Sequence, residues 1–174
     1  MADADDLFAL DADPEVMRYI TGGRPTPYAN IRDRLLPALL REYDDWTGLG
    51  RFAAVERSSG RFLGWFGLRP SQRFEGPEAE LGYRLRREAW GRGYATEGAR
   101  ALVRRAFAEL GLPHVFAWTM AVNVASRRVL EKAGLRPTRA FHLAWRNPIP
   151  GTEHGEVDYE LARPAWERIQ LTSR

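Results

Sequence analysis

Residues Trp90-Gly-Arg-Gly-Tyr-Ala-Thr-Glu97 have the composition of an anion-binding turn. Two glycines flank one arginine, a strand-like apolar run precedes them and an amphipathic helical pattern follows. A chain that turns there into a helix aims backbone N–H groups and the positive end of the helix dipole at one spot, which suits a phosphate. Glycine lets the main chain approach a ligand where a Cβ would intrude. Asn123 to Gly134 form a second polar helix start that ends in glycine. Other phosphate motifs do not fit. The dinucleotide fingerprint needs glycine where Thr96 stands, and a P-loop needs Gly-Lys-Ser/Thr. A turn that binds nothing remains the alternative, and context decides between them.

Periodicity gives the elements that must position these residues. Residues 3–20 read as two helices, with Pro14 starting the second. Residues 21–27 are a loop, and 30–46 repeat Ile31, Leu35, Leu39, Tyr43 and Trp46 at helical spacing, with a kink or break expected at Pro37. Residues 51–56 and 61–69 read as a hairpin, and 78–85 as a third strand on which Glu78 and Glu80 share a face. The 95–110 stretch is the clearest helix, stopped by Gly111 and Pro113. A strand at 114–119, a helix at 124–133, strands at 135–145 and 156–161 and a helical turn at 165–170 complete the order ααβββαβαββ. The fold class is α/β, a mixed sheet with helices on its faces.

The chain has 174 residues and no cysteine. That length suits one domain with its own core, and the lack of cysteine excludes disulfides, thiolate metal sites and a cysteine nucleophile. The three histidines, His114, His142 and His154, lack ligand spacing, so no metal site is expected. No apolar run is long enough to span a membrane. The acidic start is unlike a signal peptide, and the expectation is a soluble, cytoplasmic protein. The net charge is +3, with Lys132 the only lysine among 26 basic residues. Arginines crowd the segment from Arg84 to Arg128, whereas the first quarter carries Asp3, Asp5, Asp6, Asp11, Asp13, Glu15 and Asp33. A polyanionic ligand near the middle of the chain is therefore expected.

Glu80-Leu-Gly-Tyr-Arg-Leu85, Trp90 to Glu97, Asn123-Val-Ala-Ser126 and Val129 to Gly134 together resemble the GNAT superfamily of acetyl-CoA-dependent N-acetyltransferases. The likeness runs from about residue 5 to residue 167 and is closest to the ribosomal-protein N-terminal acetyltransferase branch. It implies a central mixed, mostly antiparallel sheet flanked by helices. Three features depart from the family: Trp90 stands where Gln or Arg is usual, Leu135 replaces an aromatic, and no strand is read ahead of the first helix, so that either the start is displaced or the sheet lacks one edge strand.

The resemblance implies that backbone groups of Leu85 and Arg86 hold the pantetheine arm and acetyl carbonyl of acetyl-CoA. The amides from Arg92 to Thr96, in the loop Gly91-Arg92-Gly93-Tyr94-Ala95-Thr96, would take the pyrophosphate, with Arg92 and one of Arg127 or Arg128 in reach. Glu97 must point away. Asn123 is a helix cap, a cofactor contact or both. Amine attack on a thioester requires loss of the amine proton, for which Glu80 is the candidate base, directly or through water. Ser126 stands at the family's thiolate-facing position as candidate proton donor. Solvent-facing strand and helix residues are the bland alternatives for both. An α-amine with pKa near 8 is roughly a quarter neutral at about pH 7.5, against about 0.1% for lysine, so a weak base serves protein N-termini.

The acceptor, a protein N-terminus or a small-molecule amine, stays open, with a ribosomal protein as one possible partner. The loops at 21–28, 71–77 and 146–155 are where specificity would sit. No membrane or DNA partner is expected, and oligomeric state is open, a dimer included. Two rivals remain: a non-catalytic CoA-binding module, and a basic RNA- or ribosome-binding protein whose binding would be strongly salt-dependent.

Overall fold

The computed structural model describes residues 2–45, 47–71 and 77–172. Helix α1 (Ala2–Ala12) is followed at once by α2 (Pro14–Thr21). Asp13 caps α2 by accepting from the Glu15 N–H at 2.9 Å, Pro14 takes the first turn, and Gly22 closes it in the left-handed region. A short α3 (Tyr28–Asn30) runs through a π-turn, Ile31–Leu35, into α4 (Leu36–Asp45). The break expected at Pro37 is this wider turn: Leu36 N–H bonds back to Ile31 and Pro37 enters α4 at its second position, where its missing donor is harmless.

The strands are β1 (Gly50–Val55), β2 (Phe62–Ser71), β3 (Glu78–Leu85), β4 (His114–Met120), β5 (Arg136–Phe141) and β6 (Glu156–Ala162). They form one sheet in the order β1-β2-β3-β4-β6-β5. Every pairing is antiparallel except β3 with β4, which holds only from Glu78–His114 to Glu80–Phe116. Past Glu80 no pairing joins the two strands, and a wedge lies between Leu81–Leu85 and Ala117–Met120. Among the described residues β1 stands at one edge of the sheet.

Alternation gives the sheet two unlike faces. Ala79, Leu81 and Leu85 of β3 with Val115 and Ala117 of β4 form a core with α5 (Tyr94–Arg104, extended by a π-turn to Glu109), α6 (Val124–Lys132) and α7 (Arg163–Thr172). Gly98 permits the closest approach, since a Cβ there would lie 2.2 Å from the Phe66 ring. Glu80, Gly82 and Arg84 point to the other face, where α1 crosses and Arg84 pairs with the buried Asp11. Leu7, Ile31 and Leu39 make a second small core there with Phe62 and Trp65.

Two boundaries differ from expectation. The strand expected to reach Trp145 ends at Phe141, because the fully buried Glu156 carboxylate accepts from the Leu143 N–H (2.8 Å) and the Trp145 indole (2.7 Å). Those bonds pull the chain off the sheet into the 142–155 loop. The expected last turn is a ten-residue helix, α7, with Pro164 at its second position. Trp46, Phe74 and most of the 71–77 loop lie outside the described residues.

Candidate active site

A cavity of about 570 Å³ fills the wedge between β3 and β4. Glu80, Arg69 and Trp65 line it together with Glu15, Arg18 and Tyr19 of α2, while Tyr83, Leu85, Trp90, Gly91, Ala95, Asn123 and Ser126 line it from the α5–α6 side. The cavity therefore passes from one face of the sheet to the other.

On the α5 side the backbone supplies the chemistry. Gly91 and Gly93 lie in the left-handed region at φ 70° and 88°, and the space over each α-carbon is open. Glu97 N–H bonds to Gly93 C=O at 3.0 Å, so the first-turn amides of Tyr94, Ala95 and Thr96 precede the first intrahelical bond, and no side chain caps them. Glu97 itself is exposed and turned outward. Along β3, Arg86 N–H bonds to Leu63 C=O at 2.8 Å. By ladder alternation the peptide groups of Tyr83 and Leu85 then face the wedge, and Leu85 C=O accepts from the Trp90 indole at 2.9 Å.

Three side-chain arrangements complete the site. Glu80 accepts through Oε2 from Arg69, its cross-strand neighbour, at 2.8 Å. Asn123 Oδ1 caps α6 by accepting from the Ser126 N–H at 3.2 Å. The Ser126 hydroxyl lies 2.9 Å from the Tyr83 hydroxyl. Such a cavity suits a donor threaded along β3 with its phosphates at α5, meeting an acceptor beside Glu80.

Residues 1–136 match the family model described as an acetyltransferase (GNAT) domain. The chain belongs to the GNAT acetyltransferase family. It is an acyltransferase with acetyl-CoA as acetyl donor. It is 38% identical over 173 residues, 94% of this chain and 71% of the relative, to "FsC-acetyl coenzyme A-N(2)-transacetylase" of Aspergillus fumigatus. It is 29% identical over 82% of its length, and 75% of the relative, to "Putative ribosomal N-acetyltransferase YdaF" of Bacillus subtilis. The fold matches that of a GNAT-family acetyltransferase from Bacillus anthracis with a TM-score of 0.75 at 22% identity, covering 94% of this chain and 90% of that one. No helix of the described residues is long and apolar enough to cross a membrane.

This GNAT chain brings Glu80, Leu85, Gly91, Ala95, Asn123 and Ser126 around one cavity. Three of its arginines are engaged within the protein. The Arg86 amide is spent in the β2–β3 ladder and its guanidinium on Asp6 at 2.7 Å, so neither faces the wedge. Arg92 pairs with Glu56 of the β1–β2 hairpin at 3.3 Å and lies over the Tyr94 ring, whose hydroxyl also donates to Glu56 at 2.7 Å. Arg127 donates to Tyr159 and to Ala121 C=O at 3.0 and 3.1 Å, which leaves Arg128 as the exposed arginine of that pair.

The acidic first quarter and the arginine cluster largely answer each other: Asp11 holds Arg84, Asp6 holds Arg86, and Asp13 lies 3.7 Å from Arg87. A polyanion thus finds fewer open arginines than the sequence suggests, which weakens the RNA-binding rival. Sequence reasoning missed Arg69 and Tyr83. Tyr83 had a signal: alternation puts its polar hydroxyl on the apolar face, where it needs a partner.

Proposed function

We propose that residues 1–174 form one domain that moves acetyl from acetyl-CoA directly to a primary amine, in the cytoplasm, with an α-amine of a small molecule as the acceptor. The observation that carries this reading is the through-going wedge, in which one cavity reaches Glu80 from one face of the sheet and Ser126 from the other. The relative named "FsC-acetyl coenzyme A-N(2)-transacetylase" supports acetyl transfer to a nitrogen. The relative named as a putative ribosomal N-acetyltransferase supports a second reading, a protein N-terminus such as that of a ribosomal protein.

Each residue has one task. The Tyr94, Ala95 and Thr96 amides hold the pyrophosphate at the positive end of α5. The Leu85 amide supports the acetyl carbonyl oxygen as it gains charge. Arg69 fixes Glu80 through Oε2, and Glu80 takes the amine proton directly or through water. Ser126 donates a hydrogen bond to the sulfur as the C–S bond breaks.

The test is calorimetric titration with acetyl-CoA, followed by acetylation of an amine panel: α-amino-acid amides, Nα-blocked lysine, spermine and short peptides. Acetyl-CoA should bind, and α-amines should be turned over fastest. Glu80→Gln should cut turnover about 100-fold with acetyl-CoA affinity unchanged. A wild-type protein that fails to bind acetyl-CoA defeats the reading. Glu80→Gln with full activity removes Glu80 from it.

A further inference from the structure

Tyr83 stands behind Ser126 on the α5–α6 side of the wedge, its ring centroid 5.8 Å from that of Phe66. Its hydroxyl lies 2.9 Å from Ser126 Oγ and 3.2 Å from the Ser126 carbonyl oxygen. The carbonyl can only accept, whereas each hydroxyl can donate once and accept. Two arrangements satisfy this trio. In one, Tyr83 donates to the carbonyl and Ser126 donates to Tyr83, so the serine proton is turned away from the cavity. In the other, Tyr83 donates to Ser126 Oγ, and the serine proton is released into the cavity that both residues line. A sulfur that gains negative charge in the cavity selects the second.

We propose that Tyr83 is a positioning residue that turns the Ser126 O–H toward the leaving sulfur, so that the two hydroxyls stabilise the thiolate as a hydrogen-bonded pair. This rests on the reading of the wedge as an acetyl-transfer site and extends it to a residue with no task there.

Neither hydroxyl gives up its proton. Burial pushes the Tyr83 hydroxyl up to about 12, above the range of an alkyl thiol. Transfer from tyrosine to thiolate is then unfavourable, and a serine hydroxyl is a weaker acid still. When the C–S bond breaks, its electron pair stays on sulfur and the thiolate departs hydrogen-bonded, to be protonated in solvent. In this proposal Ser126 acts as a hydrogen-bond donor to the departing thiolate.

The experiment is titration of the thiol of CoA bound to saturation, read by carbon NMR of the methylene beside sulfur. It needs no acceptor amine. In the wild type the bound thiol should ionise about tenfold more readily than free CoA, the scale of one hydrogen bond to a charged group. Ser126→Ala should abolish this advantage, and Tyr83→Phe should reduce it roughly threefold. Tyr83→Phe should change nothing further in the Ser126→Ala background. CoA affinity should stay within about twofold throughout, since neither hydroxyl meets the phosphates. The proposal is overturned by a wild-type thiol value in Tyr83→Phe, or by two effects that multiply in the double variant. An unchanged thiol in Ser126→Ala overturns it with Tyr83 untouched, whatever the folding of the tyrosine variant. Failure of the wild type to bind CoA overturns instead the acetyltransferase reading of the wedge.

Discussion

Helices α5 and α6 begin against the same cavity, yet their first turns are finished differently. At α5 the cap is Gly93, no side chain accepts from the first amides, and the space over Gly91 and Gly93 is open. At α6 the cap is Asn123, whose Oδ1 accepts from the Ser126 N–H at 3.2 Å. An orphan N–H is left bare beside a cavity when something else is to satisfy it, and the dipole makes that something an anion. A capped start has no such demand; it holds one hydroxyl, Ser126, in place. Under the proposed function, one helix start would bind and the other would position.

The largest expected effect comes from filling the bare start. Gly93→Glu puts a Cβ on a left-handed residue and a carboxylate where the amides converge. Acetyl-CoA affinity should fall about 100-fold or more, the loss of several charge-assisted hydrogen bonds, and the side chain forced onto a left-handed backbone should lower Tm as well. Undiminished affinity by calorimetry would mean that the bare turn is not the anion site.

Moving the whole helix tests the same contrast from behind. Gly98→Ala sets a Cβ 2.2 Å from Phe66 Cζ, so α5 must lift from β2 or the ring must turn. Overpacking of this kind costs about 1–3 kcal/mol, visible as a lower Tm. Acetyl-CoA affinity should fall with it, because the bare amides ride on α5. A lower Tm with affinity intact would show that the ring alone moves.

How far this contrast could be seen in the sequence depends on the range of the interactions. Gly93 before a helical period and Asn123 before another are local signals, and strand alternation in 78–85 puts Glu78 and Glu80 on one face. These features depend on residues a few positions apart. What was hidden lies across the sheet. Periodicity says which face Arg84 and Arg86 occupy, or that Asp6 and Asp11 sit on a helix, but not that α1 packs on the sheet within reach of them so that they pair. The Arg86 amide looked open because the β2–β3 register was unknown, and the 135–145 strand looked long because nothing in it announces Glu156 as its competitor.

Removing the cap at α6 should leave binding alone. Asn123→Ala frees one first-turn N–H and costs about 1 kcal/mol, a Tm drop of roughly 2–4 °C for a chain of this size. Acetyl-CoA affinity should stay within about twofold. A loss as large as that of Gly93→Glu would make Asn123 a ligand contact as well as a cap, and the two helix starts alike.

The smallest effect concerns the one basic side chain of the bare turn, Arg92, which Glu56 holds at 3.3 Å. Glu56 also accepts from Ser59 and Tyr94, and these donors hold its carboxyl below the ordinary carboxylate value. The lowered value means that the clamp is intact above about pH 4.5 and is lost as pH falls through the folded value. At neutral pH, therefore, Arg92 divides its attraction between Glu56 and any phosphate at the turn. Glu56→Gln removes the competing charge while keeping a hydrogen-bonding side chain. Acetyl-CoA affinity should rise about two- to threefold at low ionic strength and return toward the wild-type value as salt screens the exposed guanidinium. A fall in affinity would show that Glu56 serves the turn by holding Tyr94 and Arg92 in place. The bare helix start would then owe its geometry to the hairpin as well as to its glycines.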